Sequence, residues 1–374
     1  MSELGRIKVL LSSAEKISKE QDVDKLLVML SDLTREVLGV DRCSLFLLDR
    51  ERNELWTKVA HGVDEIRVPA DRGIVGWVAQ KGESLVVNDA YSDNRFNPEV
   101  DRETGYRTQN ILAIPLFDKK GNILGVFQAV NKLKGSFSGE DVELFTLLGG
   151  YASSAIENSI LQAKIKDAYR EAVMRLSHAA EYKDPETYNH IVRVGLFARL
   201  MAERLGLEKE VRDSIMLAAP MHDIGKIGIP DAILLKKGKL NDWEWDVMKK
   251  HTIIGYEILK DSSSELLQMA ALVALDHHER WDGTGYPNGK KGEEISLWGR
   301  ITSVADVFDA LLSKRPYKEP WSLERTVEHM NSMKGKQFDP QLIELFFSNL
   351  EEVVDIREKY KDEEVQSNSG QQDS

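Results

Sequence analysis

From Asp141 onward the apolar residues of this chain change their period, and that switch limits the fold more than any other feature. Before it, short apolar runs alternate with turn residues. After it, Val142, Phe145, Leu148, Ala152, Ile156, Ile160, Ala163 and Ile165 follow a helical stripe, and no proline interrupts until Pro185. A stripe of that length reads as one connecting helix, or two in close succession, between two folding units. The length agrees, since 374 residues exceed one core of about 100–200 residues.

Ahead of the switch, the pattern predicts a helix over Val23 to Leu38, a hairpin from Arg42–Leu48 and Glu54–Ala60 across the turn residues Asp49 to Asn53, and a short helix from Gly73 to Ala79. Strands follow at Leu85–Asn88, Ile111–Phe117 and Ile123–Val130, the last two joined by the turn-rich Asp118–Asn122. This arrangement resembles a GAF domain, a small-molecule sensing fold with a central antiparallel sheet. Asn131, Lys132, Phe137 and Asp141 match part of the NKxnFx3DE pattern of cyclic-nucleotide-binding GAF domains, but Val142 stands where the final Glu belongs. The resemblance implies a small-molecule ligand without naming it. The plainer alternative is that these residues cap the last strand and start the next helix. Helices between a sensor and an output domain often pair in parallel, so a homodimer is expected, with packing on its own domain as the alternative.

Residues 170–350 read as almost entirely helical, with helix starts at Asn241 with Glu244, at Ser322 and at Asp339–Pro340. Gly335 is read as the end of the Ser322 helix. This stretch holds the chemistry. Five of the 8 histidines fall between residues 190 and 278, namely His190, His222, His251, His277 and His278. Glu186 and His190 share one helical face. His222–Asp223 closes an apolar helical stretch. His277–His278 is a doublet on another predicted helix, where neighbours diverge by about 100°, so the two are expected to serve different metals. Asp306 interrupts an apolar helix, a costly position unless it is paired or metal-bound. Imidazole and carboxylate without thiolate suit borderline divalent ions, with iron or manganese preferred over a single tetrahedral zinc because so many ligands imply octahedral sites. Two such ions can bridge a hydroxide and clamp phosphoryl oxygens.

Five segments also carry a family resemblance. They are His222-Asp223-Ile224-Gly225-Lys226 through Pro230, His277-His278-Glu279 through Pro287, Ala305-Asp306 through Ala310, Arg315-Pro316-Tyr317-Lys318, and Gly335 through Pro340. Together they resemble the HD-GYP family, bacterial cyclic di-GMP phosphodiesterases on the helical HD-domain fold. The resemblance implies hydrolysis of cyclic di-GMP to pGpG, GMP or both. It implies two or three metals on Glu186, His190, His222, Asp223, His251, His277, His278 and Asp306, with Asp223 bridging, Glu186 completing a third site, and a bridging water or hydroxide as nucleophile. It places Lys226 at a substrate phosphate or the leaving oxygen, Arg315 and Lys318 at phosphate and guanine, Asp309 at a guanine or holding Arg315, and Tyr286 at a pocket wall. Tyr188 replaces a glycine found in many members.

The expected fold class is multidomain α+β. It comprises a GAF fold over residues 1–160, a long connecting helix, an all-α HD-domain fold over 161–360 and a disordered polar tail over 361–374. Acidic residues outnumber basic ones, 62 against 50, for a net charge of -12, which argues against non-specific binding along a nucleic-acid polymer. A single cysteine, Cys43, and no long apolar run point to a reducing cytoplasm without a membrane span. The competing functions are a non-catalytic cyclic di-GMP sensor and an HD phosphohydrolase for another cyclic dinucleotide.

Overall fold

A computed structural model describes residues 22–57, 66–181, 187–314 and 319–362, with Ile17 and Glu20 ahead of them. Glu186, Arg315, Lys318 and the tail from residue 363 lie outside the described residues. The chain divides into two compact units between Asp167 and Ala168.

The first unit is a six-stranded antiparallel sheet in the order β3-β2-β1-β6-β5-β4. Its strands are β1 (Val40–Asp49), β2 (Glu54–Thr57), β3 (Ile66–Pro69), β4 (Leu85–Val87), β5 (Ile111–Phe117) and β6 (Ile123–Lys132). One face packs on helix α1 (Val23–Leu38) through Leu26, Leu30, Leu45 and Phe127. The Asp22 carboxylate starts α1 by accepting from the amides of Asp24 and Lys25, and Gly39 ends it in the left-handed region. The other face packs on α2 (Gly73–Lys81) through Phe46, Leu55, Ile74 and Val78. A short α3 (Glu99–Thr104) and the edge strand β3 stand where the sequence pattern is silent.

Asn131 and Lys132 make the contacts that the plainer of the two readings expects. The Asn131 Oδ1 accepts from Gln109 N at 2.6 Å, Lys132 pairs with the Asp141 carboxylate, and that carboxylate also accepts from Ser138 N at 2.8 Å. The group ties the end of β6 to the start of α4 (Gly139–Glu181), a single helix of 43 residues. In the first unit, Phe145, Leu148, Ala152 and Ile156 of α4 lie in the core, whereas Ile165 is exposed.

The second unit is helical. It contains α5 (Tyr188–Arg204), α6 (Lys209–Ala218), α7 (Asp231–Leu234), α8 (Asp242–Met248), α9 (His251–Leu259), α10 (Glu265–Asp276), α11 (Leu297–Leu312), α12 (Leu323–Ser332), α13 (Pro340–Ser348) and α14 (Leu350–Lys359). Asn241 and Glu244 form a reciprocal capping box on α8, and Ser322 and Asp339 cap α12 and α13 as their positions predict. Helix α12 stops at Ser332, short of Gly335. The core joins Val194 and Phe197 of α5 to Ile301 and Phe308 of α11 and Phe346 of α13. Among the described residues, no helix is long and apolar enough to cross a membrane.

Candidate metal centre

Five chain segments of the second unit meet at the chemistry. Helix α5 brings His190, the start of α9 brings His251, and α11 brings Asp306. His222–Asp223 is not inside a regular helix. Helix α6 ends at Ala218, and the pair sits between two 3-10 turns, Ala219–Met221 and Ile224–Gly228. His277 is the residue that ends α10, with His278 beyond it in a turn.

The ligand atoms gather in two groups, each within 4.8 Å. Asp223, His251, His277 and His278 form one; His190, His222 and Asp306 form the other. The His277–His278 doublet therefore lies in one group rather than serving two, correcting the expectation from helical divergence. Because α10 stops just before it, the helical angle does not apply, and the two rings stand 4.0 Å apart between centroids.

Each of four histidines is held by its Nδ1. That atom lies 3.0 Å from Ala219 O in His222, 2.8 Å from Met248 O in His251, and 3.1 Å from both Val273 O and Ala274 O in His277. A carbonyl only accepts, so Nδ1 carries the proton and the Nε2 lone pair is left for a metal. In His190 the partner is the Asp309 carboxylate, at 2.8 Å. The Nε2 atoms of His251 and His277 and the Oδ1 of Asp223 are buried and make no hydrogen bond, although Oδ1 lies 3.3 and 3.7 Å from those nitrogens. Buried polar atoms that converge without pairing carry a desolvation cost that an ion would relieve. The donor set and its orientation thus fit divalent metal ions.

The Asp223 carboxylate faces both groups. Its Oδ1 points at His251 and His277, and its Oδ2 lies 3.2 Å from His222 Nε2 and 2.7 Å from Lys226 Nζ. Burial would raise Asp223, yet Lys226 and His222 beside it hold the carboxyl well below the usual range. Burial pushes His251 down to about 4 despite Asp223 nearby. It also lowers His278, helped by His277 and His251. Both imidazoles are neutral at neutral pH, the form that binds metal.

Tyr286 stands beside the cluster, 4.8 Å from the His278 ring and 6.0 Å from Trp245. Lys226 is nearly buried, with its ammonium on Asp223. Tyr188 is exposed at the start of α5 with its ring edge-on to His178, so this departure from glycine meets no packed core. Asp309 requires a correction. It is 0% exposed, and its carboxylate receives His190, Arg193, Arg357 and Ser313. A carboxylate so enclosed positions His190 and does not reach a guanine. Arg193, 1% exposed, is the partner that the sequence pattern does not single out. Its one signal is that it follows His190 by the same three residues that separate Asp309 from Asp306.

Gly225 lets the Lys226 turn lie against α9. A Cβ there would stand 1.9 Å from His251 O and 2.5 Å from Gly255 N, both backbone atoms. Gly225→Ala is expected to lose about 1–3 kcal/mol of stability and to displace His222, Asp223 and His251 together. Denaturant titration with metal analysis checks it; wild-type values in both would show that the contact yields freely.

The HD domain family matches residues 175–342, and the GAF domain family matches residues 22–156. A cyclic di-GMP phosphodiesterase of Thermotoga maritima is 46% identical over 205 residues, covering 55% of this chain and 56% of that protein. The 3'3'-cGAMP-specific phosphodiesterase 2 of Vibrio cholerae is 44% identical over 55% of this chain and 40% of its own length. The cyclic di-GMP phosphodiesterase response regulator RpfG of Xanthomonas campestris pv. campestris is 49% identical over 48% of each chain. The chain thus spans about half the length of these relatives. The two matches place a GAF domain ahead of an HD domain along this chain.

Proposed function

We propose that this chain is a metal-dependent phosphodiesterase that opens cyclic di-GMP to linear pGpG and, with a second cut, GMP. The observation that carries the reading is Asp223, one carboxylate facing two groups of converging imidazoles with Lys226 at 2.7 Å. In this reading His190, His222, Asp223, His251, His277, His278 and Asp306 hold two ions, Glu186 completes a third site, and the metal is iron or manganese. Bound ions would activate water for attack at phosphorus and neutralise the phosphoryl oxygens. In this reading Lys226 donates to a phosphate oxygen or to the leaving 3′ oxygen. Tyr286 lines the wall, and Arg315 and Lys318 take phosphate and guanine, since a guanidinium can fork onto guanine O6 and N7. The proposal extends to a cytoplasmic homodimer whose GAF domain binds a small molecule that regulates hydrolysis.

The test is anaerobic purification, metal quantification, and product analysis on cyclic di-GMP with 3'3'-cGAMP alongside. Turnover of cyclic di-GMP supports the reading, whereas a metal-loaded protein that cleaves neither overturns it. Preference for 3'3'-cGAMP would favour the second reading suggested by the 44% identical relative named for that substrate. Arg315→Ala is expected to raise KM about tenfold or more, for a bidentate contact of about 1–3 kcal/mol, with metal content unchanged. Loss of metal in that variant would assign Arg315 a structural role.

A further inference from the structure

Three of the four Nδ1-anchored histidines are oriented by backbone carbonyls three or four residues upstream, so their rings are set by local folding alone. His190 differs. Its anchor is Asp309, a side chain on another helix, and Asp309 is held from further away. Arg193 gives Nε to Oδ1 at 2.6 Å and Nη2 to Oδ2 at 2.7 Å, while Arg357 of α14 gives Nη1 to Oδ1 at 3.0 Å. The residues after α14 then close over Arg193 and the start of α5. Arg193 Nη1 donates to Tyr360 O at 2.7 Å and Nη2 lies 3.2 Å from Asp362 Oδ2. Asn189 Nδ2 donates to Lys361 O at 2.7 Å, and Thr187 Oγ1 donates to the Asp362 carboxylate. Arg357 also donates to Leu312 O at the end of α11, the helix that carries Asp306.

We infer that Arg357–Asp362 is a positioning latch that sets metal occupancy in the His190, His222 and Asp306 group and does not act on the Asp223, His251, His277 and His278 group, in which His251 and His277 have backbone anchors of their own. The inference rests on the metal-centre reading above. The latch works through Arg193 and Asp309, which fix the His190 tautomer and hold its ring on the ion. Loss of such an outer partner lowers metal affinity by about 10–100-fold. None of the latch residues needs to touch substrate.

The experiment compares full-length protein with a chain lacking residues 360–374 and a control lacking only 363–374. All are loaded anaerobically with Mn(II) and dialysed before metal per chain is measured, with circular dichroism and thermal unfolding as fold checks. The control should match full-length protein. The longer deletion should bind one ion about 10–100-fold more weakly, reproduce the metal content of His190→Ala rather than His251→Ala, and show no further loss when combined with His190→Ala. That non-additivity is what coupling through one site requires. Asp362→Ala in the full-length chain should shift the same ion in the same direction. Unchanged metal content in the longer deletion overturns the inference. So does parallel loss of all ions with a fall in Tm, which would make the segment a structural strap. A full-length protein that binds no Mn(II) fails the metal-centre reading itself and takes the latch down with it.

Discussion

Asp223→Ala should reduce cyclic di-GMP hydrolysis by at least about 10³-fold, on the order of 4 kcal/mol of transition-state stabilisation, and strip metal from the protein. Both effects follow from one carboxylate facing both ligand groups. His222→Ala should act in the same direction, since its Nε2 lies 3.2 Å from that carboxylate. Direct metal analysis beside product chromatography separates the causes. Retained hydrolysis in a metal-verified Asp223→Ala protein would remove the residue from the centre and with it the proposed mechanism. Removing Asp223 also leaves the nearly buried Lys226 ammonium without its carboxylate, so part of the damage will appear as lost stability.

Asp309→Ala is expected to destabilise the second unit strongly. It strands the Arg193 guanidinium, 1% exposed, without its main counter-charge. Breaking one side of a buried pair costs about 3–5 kcal/mol. Burial alone would raise this carboxyl, but His190 and Arg193 hold it down to about 2, against an ordinary 3.8. A depressed carboxyl contributes stability that is full above the unfolded value and lost as pH falls through the folded one. The acid arm between about 4 and 2 should therefore flatten in the variant. Denaturant titration at neutral and acid pH measures both. A loss under about 1 kcal/mol, within the range of a surface pair, would mean that the enclosed geometry contributes little.

Much of this was legible in the residues, and the gaps have physical causes. Strand β5 matches the apolar run Ile111–Phe117 residue for residue because it is central and pattern-rich. Strand β3 was silent because it is four residues long, at the sheet edge, and only half-buried. The described metal-ligand candidates fall into two groups, and they were legible because buried imidazole and carboxylate among apolar residues announce themselves by cost. The grouping of His277 with His278 was not legible, since it depends on α10 ending one residue earlier than a continuous helix would. Arg193 was missed because its partners, Asp309, Tyr360 and Asp362, are joined to it only by tertiary folding.

The residues on either side of the histidine doublet have their own consequence. Asp276 accepts from Lys290 Nζ at 2.6 Å and Ser296 N at 2.9 Å, and Glu279 accepts from Asn288 N at 2.7 Å and Lys290 N at 3.0 Å. Both carboxylates are at most 2% exposed. The loop through Pro287 is therefore riveted at two points to the same short stretch that presents His277 and His278. Swinging it outward would leave two buried carboxylates without these donors, a cost that opposes opening. The Tyr286 side of the cluster is a fixed jamb, and substitutions along residues 288–296 should be felt at His277 and His278 as displacement rather than as altered access.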